Sequence, residues 1–126
     1  MIRIVNARIL EAFGMKILAK DKYQDAAWEN ENRKYVDLDT LYAQSDVILL
    51  HCPLFADNRH MICEESIRKM KDGVILINNS RGGLVKDEDL AAALNSGKIA
   101  GAGRKNRLPF QIFRSMLKAE FLMSAR

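Results

Sequence analysis

The stretch from Gly73 to Gly83 constrains this chain more than any other. Val74-Ile75-Leu76-Ile77 is a run of four apolar residues, three of them β-branched. Such a run reads as a strand buried on both faces, as strands of a parallel sheet are. It stops at Asn78-Asn79-Ser80-Arg81-Gly82-Gly83. A buried strand therefore delivers a guanidinium to its carboxyl end, on a loop whose glycines permit a tight return. Ligands of open α/β sheets bind at the carboxyl ends of the strands, which makes Arg81 the first candidate for chemistry. The plain alternative is a solvated loop arginine beside turn glycines.

The rest of the chain reads in alternation around that strand. Ile2, Val5, Ile9 and Phe13, with Ala12 alongside, fall on one helical face and Gly14 stands where a helix would end. A strand over Met1–Val5 is the competing reading. Met15–Ala19 reads as a short strand ending at Lys20-Asp21, and Tyr23–Arg33 as a polar loop with Trp28 covering a core edge. Tyr35-Val36 suits a short strand, and Asp37 can cap a helix over Leu38–Gln44. Val47–Cys52 is a second doubly buried strand, ended by Pro53, which lacks a donor. A loop over Leu54–His60, a helix over Glu64–Met70, a helix over Asp87–Leu94 and a strand over Ile99–Gly103 complete the order. Strands alternating with helices predict βαβ units, a parallel sheet and a doubly wound α/β domain.

Charge separates the chain into two parts. Residues 104–126 hold six basic residues against Glu120 alone, although the whole chain carries only +4. The body is therefore near neutral, and any nucleic-acid or membrane argument from charge must rest on the tail. That tail carries no recognisable nucleic-acid motif. Leu108, Ile112, Phe113, Met116, Leu117 and Phe121 could give it an amphipathic basic helix. Out-of-frame text of helical composition is the alternative. No apolar run approaches membrane-spanning length, and no basic-then-apolar leader opens the chain. Cys52 and Cys63 are the only cysteines and form no C-x-x-C pair, which suits a reduced, cytoplasmic protein and argues against a metal site.

Several motifs then arrive in one order and spacing: Ala12-Phe13-Gly14-Met15-Lys16, Ser45-Asp46-Val47-Ile48, Leu50-His51-Cys52-Pro53-Leu54, Met70–Asn78, Ser80-Arg81-Gly82, and Asp89-Leu90-Ala91 on to Gly103. Over roughly residues 2–103 they resemble the NAD-binding domain of the D-isomer-specific 2-hydroxyacid dehydrogenases. The wording at Leu54-Phe55 and Leu94–Lys98 is most similar to the glycerate dehydrogenase (hydroxypyruvate reductase) branch. The resemblance implies a Rossmann-type domain over 1–103 and an NAD-dependent oxidoreductase interconverting 2-hydroxy and 2-keto acids. It implies a catalytic role for Arg81, whose planar fork suits a substrate carboxylate. It places Asp21 at the adenosine ribose, favouring NAD over NADP. Cys52, Pro53 and Asn58 match residues that line the cofactor, and Asn79 and Ser80 match residues reaching its nicotinamide side. The family's acid–base histidine comes later in sequence, so His51 and His60 read as structural. Family members usually form homodimers, and no nucleic-acid or membrane partner is implied.

The chain also departs from that pattern. The opening strand and Gly-x-Gly-x-x-Gly loop are missing, with Arg3 about where the last glycine belongs, and the text changes abruptly after Gly103. A central strand burying about four large apolar side chains contributes roughly 6–12 kcal/mol, against a whole-domain stability of ~5–15 kcal/mol. The expectation is an incomplete sheet and an inactive fragment that is marginal or unfolded, or that closes its gap with Met1–Val5 or a partner. A truncated frame with a frameshifted end would account for both departures. The competing function is a non-catalytic nucleotide-binding or interaction module with a basic tail over 104–126.

Overall fold

The computed structural model describes residues 2–21, 24–104 and 121–125, the side chains of 2–6 and 121–125 excepted. Helix α1 (Ile2–Ala12) leads through Gly14, at φ +84°, into strand β1 (Ile17–Asp21). Its inner face is formed by Ala7 and Leu10, while Ile9 and Phe13 remain exposed. Strand β1 begins two residues later than the sequence pattern suggests and ends at Asp21 as expected; Met15 packs beneath α1 as part of the connection. Inside the expected loop a 3₁₀ turn over Ala26–Trp28 is capped by Asp25, whose carboxylate accepts from the Ala27 N–H at 3.0 Å. Trp28 does cover an edge: its ring lies 5.0 Å from Tyr35 and beneath the Arg33 guanidinium at 5.4 Å.

Strand β2 (Arg33–Tyr35) precedes α2 (Leu38–Gln44), capped as expected by Asp37, which accepts from the Thr40 N–H at 2.7 Å. That hydrogen bond holds the Asp37 carboxyl below its ordinary range. Strand β3 (Val47–Leu50) is buried throughout, and so are Val74, Ile75 and Leu76 of β4 (Val74–Asn78), as their unbroken apolar runs require. Between them α3 (Glu64–Arg68) ends two residues earlier than expected. After β4, a 3₁₀ turn over Gly82–Leu84 leads to α4 (Asp87–Ser96), which three acidic residues open and Gly97 closes at φ +81°. Strand β5 (Ile99–Arg104) runs one residue past Gly103.

The last element corrects the expectation of an open gap. Phe121–Ala125 forms strand β6, and the six-stranded sheet has the order β2-β1-β6-β3-β4-β5. All neighbours are parallel, with Phe121 to Ala125 opposite Ile17 to Asp21 on one side and Phe121 to Ser124 opposite Val47 to Leu50 on the other. This is the dinucleotide-binding order 3-2-1-4-5-6, with a C-terminal strand in the first strand's place. Neither Met1–Val5 nor a partner fills it; Ile2–Ala12 is helix. Phe121, assigned from its sequence spacing to a basic helix, is strand, and the remainder of that expected helix lies outside the described residues.

Two cores flank the sheet. The larger joins Leu41, Ile48, Leu50, Ile62, Leu76 and Leu84 between the sheet, α2, α3 and α4. The smaller joins Ala7, Leu10, Met15, Ile17, Val47 and Leu49 beneath α1. Alternate residues of β3 thus feed opposite cores, as the period of two demands. Strand order reverses direction at the β6–β3 boundary, so the ligand crevice expected of an open α/β sheet lies at the carboxyl ends of those strands.

Candidate functional site

The carboxyl ends of β3 and β4 run into loops that lock onto each other. Asn78 is 4% exposed, and both ends of its side-chain amide are engaged. Its Oδ1 accepts from the Ser80 N–H at 3.0 Å, and its Nδ2 donates to the Arg81 carbonyl at 2.8 Å. The Ser80 hydroxyl donates to the Cys52 carbonyl on the neighbouring loop, and the Asn79 N–H to the Leu50 carbonyl at 3.1 Å. A short parallel ladder continues the tie: His60 N–H to the Gly83 carbonyl at 2.8 Å, Ile62 N–H to Leu84 at 3.0 Å, and Lys86 N–H back to Ile62 at 2.9 Å. Gly83 packs closely here: a Cβ there would stand 2.7 Å from a Leu54 methyl and would displace that side chain.

Arg81 therefore sits on a backbone fixed from both sides while its side chain is exposed. It precedes the Gly82–Leu84 turn in extended conformation, and its carbonyl also accepts from the Leu84 N–H at 3.2 Å. Among the described residues its guanidinium enters no ion pair. A rigid base with a free, planar, permanently charged fork is what anchoring a carboxylate requires. A second guanidinium stands close by: Arg104 pairs with Asp87 at 2.5 Å and lies 3.7 Å from where a Gly82 Cβ would be. A cavity of about 300 Å³ opens there, lined by Asn78, Leu90, Leu94 and the Arg104–Asp87 pair among others.

The other candidates are placed as follows. Cys52 is buried two residues after β3, and its thiol lies 3.9 Å from the Met61 sulfur. Pro53 and Asn58 belong to one loop, in which the Asn58 amide donates to the Pro53 carbonyl at 2.8 Å and accepts from the Phe55 N–H at 2.7 Å. Asn58 thus shapes the loop that carries Cys52 and Pro53. The N–H groups of Asn79 and Ser80 are both spent within the protein, so neither is the group a ligand would meet. Asp21, 6% exposed, ends β1 on the far side of β6. The structure thus brings Cys52, Pro53, Asn58, Asn79, Ser80 and Arg81 together and leaves Asp21 across the β6–β3 boundary.

Two contributors escaped the sequence reading. Asn78 reads there as the first polar residue after the strand, though its place two residues before Ser80 is the spacing of an Asx turn. Arg104 reads as the first residue of a basic tail, and its partner Asp87 is distant in sequence. Among the described residues no cluster of three His, Cys, Asp or Glu side chains could hold a metal ion, and no helix is long and apolar enough to cross a membrane.

His51 lies half-buried between β3 and Cys52. Burial lowers its pKa below the ordinary 6.5. A histidine harder to protonate when folded binds more protons unfolded, so its contribution to stability is intact above about 6.5 and is lost as pH falls through the window below that value. The melting temperature is expected to fall as pH drops below about 6.5, and His51→Gln is expected to flatten that limb. Thermal melts across that range check it; parallel profiles for the two proteins would contradict it.

Comparison with known proteins agrees with this geometry. Residues 5–104 match the family described as D-isomer specific 2-hydroxyacid dehydrogenase, NAD binding domain. The chain is 58% identical over 98 residues to a hydroxypyruvate reductase of Blautia hydrogenotrophica, covering 78% of this chain and 30% of that protein. The apo structure of D-lactate dehydrogenase from Escherichia coli superposes with a TM-score of 0.76 at 44% identity, over 80% of this chain and 32% of that one. D-lactate dehydrogenase from Aquifex aeolicus, solved with NAD and lactic acid, superposes at 0.73 with 41% identity, over 79% and 31%. The chain spans about 30% of the length of the curated relatives it matches. On this match, the chain belongs to the D-isomer specific 2-hydroxyacid dehydrogenase family, through its NAD-binding domain.

Proposed function

We propose that this chain is the cofactor half of an NAD-dependent dehydrogenase that interconverts 2-hydroxy and 2-keto acids, with hydroxypyruvate and glycerate as the favoured pair. The observation that carries the reading is Arg81: an exposed guanidinium on a backbone clamped by Asn78, at the carboxyl end of β4, beside the reversal of strand order. Asp21 and the Arg81 loop lie on opposite sides of that reversal, as a dinucleotide lying across it needs. The residues present fit both ends of NAD. Asp21 offers acceptors to the adenosine ribose, and its charge opposes a 2′-phosphate, which favours NAD over NADP. Cys52, Pro53, Asn58, Asn79 and Ser80 form the wall at the nicotinamide end.

When bound, NADH supplies the hydride. The chain's own part is to orient: Arg81 holds the substrate carboxylate bidentately and stabilises charge developing at the neighbouring carbonyl oxygen. A histidine–carboxylate pair beyond the matched segment supplies the proton. The chain alone is therefore expected to show no turnover. We assign residues 1–103 to the NAD-binding domain and 104–126 to a tail that lends this domain's sheet its strand β6, and expect a cytoplasmic homodimer for the complete enzyme.

A chimaera tests this. With residues 5–104 replacing the matched segment of the Blautia hydroxypyruvate reductase, NADH-dependent reduction of hydroxypyruvate is expected to survive. A folded chimaera that binds NADH yet turns over no 2-keto acid would contradict the reading.

A further inference from the structure

We propose that the groove between β1 and β3 is a strand-acceptor site, and that the chain's own segment Phe121–Ala125 is its ligand. That segment lies outside the family match, which ends at 104, and its docking is independent of the cofactor reading.

Without β6 the sheet would be two separate pieces, β2-β1 and β3-β4-β5. Ile17–Asp21 and Val47–Leu50 would then each present an open edge. These are not surface edges that charge or bulges protect. With β6 in place, Ile17, Leu18, Val47, Ile48, Leu49 and Leu50 are all 5% exposed or less. Unpaired backbone groups in such surroundings are costly, and a sheet does not leave two rows of them facing one another. A five-residue parallel strand satisfies both edges at once. The register is continuous, with Phe121 opposite both Ile17 and Val47 and Ser124 opposite both Lys20 and Leu50. Helix α1 lies against β6 as well as β1, so the acceptor has a floor as well as two walls.

Reach permits the docking in cis. Residues 105–120 join the end of β5 to the start of β6. At about 3.3 Å per residue that length exceeds three strand spacings of ~4.8 Å combined with recrossing a strand of roughly 17 Å. The tail thus acts as an intramolecular form of strand addition, with main-chain hydrogen bonds as the source of affinity. Its recognition chemistry is that of an extended peptide entering parallel between two apolar strands, not that of a basic surface for nucleic acid or lipid.

Hydrogen exchange on the full chain tests this first. Amides of Leu122–Ser124 are expected to exchange at least ~100-fold more slowly than unstructured ones, at rates like those of β1 and β3. Exchange at the unstructured rate would overturn the proposal. The same protection in a species of twice the monomer mass would overturn docking in cis and assign the occupant to a second copy. A second variant keeps the test independent of folding. In the full chain carrying Leu122→Pro and Ser124→Pro, the tail can no longer complete a central ladder. A fluorescent peptide of residues 119–126 is then expected to bind saturably, at least ~10-fold more tightly than to the unmodified chain, whose own tail competes at high effective concentration. If the variant is unfolded alone, the peptide is expected to restore its circular dichroism spectrum. A peptide that neither binds nor restores would overturn the proposal.

Discussion

Replacing Arg81 with glutamine in the active chimaera is expected to lower kcat/KM for hydroxypyruvate by roughly 10²–10³, the loss that follows removal of one preorganised donor to a developing oxyanion. The structure isolates this effect. The Arg81 carbonyl, not its side chain, holds the loop, through the Asn78 amide and the Leu84 N–H. The substitution therefore removes a charge and a fork without releasing the backbone, and NADH affinity should survive. Arg81→Lys keeps the charge and loses the planar fork, so it should fall between the two. Steady-state kinetics beside NADH titration reads both quantities. Unchanged kcat/KM in the glutamine variant would leave Arg81 a solvated loop residue.

The second large effect is structural. Leu76→Ala is expected to cost ~2–5 kcal/mol, out of a total that for domains of this size is ~5–15 kcal/mol. Leu76 is 1% exposed at the centre of β4, opposite Ile48 on one side and Ala102 on the other. Its side chain belongs to the larger core with Leu41, Ile62, Leu84 and Ile99, so truncation removes buried contacts from a packed cluster. At about 4–8 °C per kcal/mol the melting temperature should drop by roughly 10–30 °C. Ile77→Ala, at a half-buried position on the opposite face, should cost clearly less. Calorimetry on the two variants checks the contrast, and equal losses would contradict the assigned facing of β4. Because β4 carries Asn78 and the Arg81 loop, the damage in Leu76→Ala should reach the site as well.

The sequence spoke clearly where one physical signal sufficed. Val47–Leu50 and Val74–Ile77 could only be strands covered on both faces. Asp37 and Gly14 marked the ends of helices because a carboxylate can accept a helical N–H and a glycine can adopt positive φ. The parallel sheet followed from the order of these elements, and the family from the resemblance of motifs such as Leu50-His51-Cys52-Pro53-Leu54 and Ser80-Arg81-Gly82. Boundaries were less legible. Met15 is as apolar as Ile17, and only packing beneath α1 decides that it belongs to the connection.

The tail was legible least. Phe121-Leu122-Met123-Ser124-Ala125 holds no β-branched residue, so local propensity does not point to a strand. Two unpaired edges, Ile17–Asp21 and Val47–Leu50, decide the matter, and they are far away in sequence. The energy of burial did show that a central strand was needed; composition could not show which residues would supply it. At the candidate site, residue types were readable, but the spending of the Asn58, Asn79 and Ser80 donors on the loops themselves was not. Such bonds depend on which loops the topology sets side by side.

The most direct measurement is a fluorescence titration of the purified chain with NADH, with far-UV circular dichroism on the same sample. The expected result is an α/β spectrum and saturable binding, roughly in the millimolar range or about −4 kcal/mol. A folded chain that gives no saturation at several millimolar NADH would contradict a cofactor-binding role for this domain.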